Sequence, residues 1–228
     1  MNEENTYFEY GNEGDSEIWD EHRWEEFFRE SDKQTEKYSR LLDKYMDHPD
    51  RDRLIAEEMG WNHILDEDDY ENKEWMNEVF LDELEDGEKW KQLTGFEPTD
   101  FDSVENLPLY KKAFEFTIGA MEMVDEHLAD VEDKSVHTFC RTVTVPPAKI
   151  AGGFGMGFEI ESLGGNIANC KRGLTAANKM LDSLYEIGDK ELLDHDLYLE
   201  LHGQAKEVRD ELAVYIVELR ERFRRGFS

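Results

Sequence analysis

Apolar residues recur at helical spacing along most of the chain, in two different settings. From about Asp20 to Asp47 the positions Trp24, Phe27, Phe28, Tyr38, Leu41, Leu42, Tyr45 and Met46, with Ser31 in the series, predict a long amphipathic helix. Asp47-His48-Pro49 stops it, and Pro49 suits the first turn of a short helix over 50–59. Gly60 is a natural C′ residue there, because only glycine enters the left-handed region without a Cβ penalty. Trp61, Ile64 and Leu65 read as a hydrophobic loop, and a third helix is expected from about Glu71 to Glu85 with Trp75, Val79, Phe80 and Leu84 on one face. Trp90, Leu93 and Phe96 follow it. The stretch 97–106 (EPTDFDSVEN) is polar, aperiodic and contains Pro, which marks a linker, while residues 1–15 read as a loose acidic N-terminus.

Beyond the linker the pattern changes. Tyr110, Phe114, Thr117, Met121, Val124, Leu128 and Val131 alternate by fours and threes. So do Val136, Cys140, Val143, Pro147, Ile150 and Phe154, and then Ile160, Leu163, Ile167, Cys170, Leu174, Ala177, Leu181 and Leu184. Leu197, Leu201, Ala205, Val208, Leu212, Tyr215, Leu219 and Phe223 make a fourth set. Breaks are expected around Glu132-Asp133, at the glycines of 152–158, and at Gly188-Asp189. Four heptad-like segments with short connections predict an all-α, up-down four-helix bundle over 107–228, preceded by an acidic helical region over 16–96.

Composition divides the chain the same way. Its 228 residues carry 56 Asp and Glu against 26 Lys and Arg, a formal charge of −30, while 12% aromatic content argues for a folded chain. Residues 1–106 account for −24 and residues 107–228 for only −6. Within the second part, Lys134, Arg141, Lys149, Lys171, Arg172 and Lys179 face only Glu159 and Glu161 over residues 134–179. The whole surface therefore repels phosphate, yet one stretch is cationic, and such asymmetry points to two modules with different partners.

No basic n-region and apolar h-region open the sequence, and no run reaches eighteen apolar residues, so neither a signal peptide nor a transmembrane helix is expected. Cys140 and Cys170 both fall at apolar helical positions, which favours free buried thiols in a reducing, cytoplasmic setting over a disulfide.

The run TVPPAKIAGGFGMG at 144–157 resembles the signature of the four-helix-bundle family of 23S-rRNA intervening-sequence proteins, which also includes the accessory variability determinant of diversity-generating retroelements. Ile150, Ala151, Gly153, Phe154 and Gly155 match it, whereas Lys149, Gly152 and Met156 stand where that family usually has Asn, Glu and Arg. The resemblance covers 107–228 and implies a bundle without known catalysis, commonly a pentameric barrel with a basic surface; the retroelement member works as a partner of a reverse transcriptase and of nucleic acid. Residues 1–106 lie outside it.

Little else in the sequence carries chemistry. The glycines of 152–157 have neither the G-x-G-x-x-G nor the Gly-Lys-Ser/Thr spacing of a nucleotide loop, so they read as a helix break and a place for close backbone approach. No Glu-x-x-His occurs, and Asp66-Glu67-Asp68-Asp69 lacks the glycine and the distal glutamate of a calcium loop. Glu191, Asp194, His195, Asp196 and His202 are the nearest approach to a metal cluster, and read better as a solvated acidic turn. No cofactor and no catalytic residue are expected.

The six cations named above are the one constellation with a mechanism: together they could neutralise several phosphates. They could as well pair with the chain's own acidic part. Arg220, Arg222, Arg224 and Arg225 read as helix-end cations. The combined expectation is a non-enzymatic, oligomerising helical adaptor that binds a protein partner. A nucleic-acid-binding accessory protein with an acidic regulatory module is the alternative, and a metal-dependent enzyme a more distant one.

Overall fold

The computed structural model describes residues 17–61 and 103–226. The helix expected over 71–85, the Trp90–Phe96 segment, the loose N-terminus and most of the linker lie outside the described residues. The described elements are α1 (Glu21–Lys44), α2 (Arg51–Met59), a 3-10 turn (Val104–Asn106), α3 (Pro108–His127), α4 (Lys134–Val143), α5 (Val145–Met156), α6 (Ile160–Asp189) and α7 (His195–Arg225). Among the described residues the chain is all-α.

It divides into two compact units. The described residues 17–25 group with 108–226 in one, and 26–61 with 103–107 in the other, so the division falls inside α1 between Glu25 and Glu26. The region expected as one over 16–96 is thus divided within its first helix.

In the first unit α3, the α4–α5 pair, α6 and α7 form the four arms of the bundle. The second arm is interrupted at Thr144 because Pro146 and Pro147 open α5. Pro147 has no N–H to give the carbonyl of Val143, four residues back. Thr117 of α3 supplies the missing donor: its buried Oγ1 lies 2.9 Å from the Val143 oxygen and 2.8 Å from that of Ala113. A proline-made defect in one helix is thus satisfied by a hydroxyl from another.

The central arm is α6, which packs against α4, α5 and α7. Residues 163–170 are all buried, over two turns, so every face of the helix is covered there. Asn166, fully buried, donates from Nδ2 to the Gly157 carbonyl at 3.1 Å and accepts from Cys170 Sγ at 3.5 Å. Gly153 of α5 sits over it: a Cβ at Gly153 would stand 2.7 Å from Asn166 Oδ1 and 3.0 Å from the Asn166 carbonyl oxygen.

Two expectations are corrected and one is narrowed. The break expected at the glycines of 152–158 falls at Gly157, which has φ +102°, while Gly152, Gly153 and Gly155 lie within α5. On α3 the buried face is Leu109, Ala113, Phe116, Ala120 and Val124, whereas Phe114 and Met121 are exposed. Cys170 is fully buried and its thiol is pushed up to about 12 by that burial, but Cys140 is only half-buried.

In the second unit α2 ends as expected at Gly60, in the left-handed region at φ 79°. Glu58 Oε1 accepts from Lys44 Nζ at 2.8 Å and from the Tyr45 hydroxyl at 2.5 Å, tying the end of α1 to α2.

Candidate interaction surface on the bundle

The start of α1 is built to dock on α6. Asp20 caps the helix, its Oδ1 accepting from the backbone N–H groups of His22 and Arg23 at 2.9 Å. This fixes Glu21, Trp24 and Glu25 within the first turns, with Glu21 and Trp24 three apart on one face. Gly164 and Gly165 of α6 form the notch that receives them. A Cβ at Gly164 would collide with the Trp19 carbonyl oxygen and lie 2.9 Å from Trp24 Cδ1. A Cβ at Gly165 would meet the Met156 Cε and come within 3.1 Å of the Trp24 ring. Trp19 closes edge-on against Trp24, with ring centroids 5.2 Å apart.

Around this notch stand cations from two helices. Arg220 of α7 forks onto Glu21, Nε to Oε2 at 2.8 Å and Nη2 to Oε1 at 2.6 Å, and Lys171 Nζ reaches Oε1 at 3.1 Å. Arg172 Nε donates to Glu25 Oε2 at 2.8 Å. The Glu21 side chain is only 12% exposed. Burial alone would raise its pKa, but the hydrogen bonds and charges of Arg220 and Lys171 together outweigh that cost and hold it below the ordinary carboxylate value. A half-buried carboxylate with three charge-assisted contacts is well compensated.

The six sequence-predicted cations therefore do not form one surface of equal members. Lys171 and Arg172 are engaged by the chain's own Glu21 and Glu25. Lys134 and Arg141 are exposed on α4, Lys149 is half-buried on α5 with its Cβ against Gly173, and Lys179 is exposed on α6. These four form no ion pair with another described residue. Arg220, taken from the sequence as a helix-end cation, belongs to the Glu21 cluster instead, and Arg222 lies over the Phe158 ring at 5.2 Å. Sequence reasoning missed Glu21, Glu25 and Arg220 as partners. The adjacent Gly164-Gly165 inside a long helix was the available signal, since interior glycines cost helix stability unless something approaches closely.

The acidic turn before α7 has a structural explanation. Asp194 caps α7, accepting from Asp196 N–H at 3.0 Å, and His202 lies beside Tyr198 with ring centroids 5.6 Å apart. Among the described residues no three His, Cys, Asp or Glu side chains converge as a metal site. An open groove of about 310 Å³ runs between α3 and α7, where Lys112 bridges to Glu211 and Glu207. No described helix is long and apolar enough to cross a membrane.

Comparison with protein-family models, with curated proteins and with solved structures yields no match.

Proposed function

We propose that the chain is a non-enzymatic helical adaptor whose bundle assembles into an oligomer and holds a protein partner, with its acidic N-terminal part as the second recognition element. The observation that carries this reading is the pairing of Glu21 with Arg220 and Lys171, and of Glu25 with Arg172. Lys171, Arg172 and Arg220 are thereby spent on the chain's own carboxylates. The resemblance of residues 144–157 to the intervening-sequence bundle family belongs to the same reading, and the close packing of Gly153 on Asn166 supports a bundle role for that run.

A second reading, a nucleic-acid accessory protein, is favoured by Lys134, Arg141, Lys149 and Lys179, which pair with no described residue. The two separate on immobilised RNA and DNA at about 50 mM salt, where phosphate contacts are strongest. An adaptor passes through in the wild-type form and as Glu21→Gln/Glu25→Gln. Retention of the wild-type chain, lost steeply with added salt, supports the nucleic-acid reading and removes the first.

A further inference from the structure

We propose that the glycine notch of α6 is a recognition site for the start of an acidic, tryptophan-bearing helix of a protein partner, and that residues 19–25 are its built-in competitor. This rests on the adaptor reading above and names where the bundle holds its partner and by what chemistry.

The resident segment shows what the site selects. Gly164 and Gly165 present no Cβ, so a helix start enters with its backbone: the Trp19 carbonyl oxygen lies against Gly164, and the Trp24 ring against both glycines. Arg220 and Lys171 take the carboxylate of residue 21, and Arg172 takes the one four residues on, about a single helical turn. The ligand is therefore a helix start with an acid in its first position, tryptophan three residues later and a second acid beside it. First-turn acids also complement the helix dipole, so they serve the ligand helix as well as the site. In a chain of formal charge −30, three cations from two helices converge on this one notch and favour an acidic partner.

The segment is held on the bundle without belonging to its continuous chain. Past Glu25 the chain leaves this unit and returns to it only at Pro108. Releasing the segment takes nothing out of the contacts that α6 makes with α4, α5 and α7. It uncovers the glycine pair and the three cations that had held Glu21 and Glu25, a surface that calls for an occupant of the same chemistry. A competitor within the chain lowers a partner's apparent affinity in proportion to the fraction of notches left open. A partner thus gains the site by binding more strongly than the resident, or when the resident is weakened.

Fluorescence anisotropy of a labelled peptide of residues 17–30 (EIWDEHRWEEFFRE), titrated with the full chain, tests this. The Glu21→Gln chain, whose resident is loosened and whose notch is intact, binds the peptide about tenfold or more tighter than the wild type does. A peptide carrying Glu21→Lys and Glu25→Lys binds that chain about tenfold or more weaker than the native peptide. Should one substitution leave the segment docked, Glu21→Lys/Glu25→Lys in the chain removes it outright. No saturable binding to either variant chain, equal affinity of both for the peptide as the wild type has, or equal affinity of the two peptides overturns the proposal. Light scattering of the same chains separates this from assembly, with equal masses expected. A lower mass for the variants gives the site to a second copy's segment and overturns the partner assignment. A wild type that is monomeric throughout removes the assembly reading and leaves the notch result standing.

Discussion

Glu21 and Arg220 lie 199 residues apart and meet through two hydrogen bonds, at 2.8 Å and 2.6 Å. This contact fastens residues 17–25, from the most acidic part of the chain, to the bundle, and places the division between the two compact units inside a continuous helix.

The attachment depends on pH in a direction fixed by Glu21. Its carboxyl is held below its ordinary value of 4.5 when docked, so the docked state binds fewer protons than the released one. The stabilisation is complete above that ordinary value and is lost as pH falls through the lowered one. Hydrogen exchange of the amides of residues 20–25 should accelerate on acidification, before the bundle core opens. Glu21→Gln should remove that acid limb and weaken docking at neutral pH by about 1.5–3 kcal/mol, the range for hydrogen bonds to charged groups. An unchanged acid limb in the variant would assign it elsewhere.

Gly164→Ala separates docking from bundle stability. The added methyl collides with the Trp19 carbonyl, whereas alanine favours the helix itself by about 1 kcal/mol. The expected result is a red-shifted, more quenchable tryptophan emission with the bundle's urea midpoint unchanged or raised. A lowered midpoint would mean that the notch is part of the bundle core.

Thr117→Val should destabilise the bundle by about 1–3 kcal/mol, because it leaves the buried Val143 carbonyl without a donor at nearly constant volume. Pro147→Ala restores the backbone N–H that α5 lacks. In that background Thr117→Val should cost distinctly less in urea unfolding, and the double-mutant cycle reads the coupling directly. Equal costs in both backgrounds would dissociate the hydroxyl from the proline.

Much of the bundle is legible in the sequence because large apolar residues mark three of its four arms. Val136, Val143 and Ile150, Leu163 and Ile167, and Leu201, Ala205, Val208, Leu212 and Leu219 are buried as their rhythm predicts, while Tyr215 is only half-buried. On α3 the rhythm misleads: the buried side holds Ala113 and Ala120, too small to signal, while the bulkier Phe114 and Met121 face solvent. The extra charge in the first half is legible, but its use is not. With 56 carboxylates in the chain, nothing local distinguishes Glu21 from the rest; a glycine notch some 140 residues downstream does. The cationic stretch behaves likewise, since residues at 171 and 172 become partners of 21 and 25 only once α6 is packed.

Light scattering of the full chain at neutral pH and moderate salt, over a micromolar series, addresses the assembly most directly. An oligomerising adaptor gives a mass that is a multiple of 26.8 kDa and holds on dilution to the low end of the series. A mass of 26.8 kDa at every concentration would contradict it.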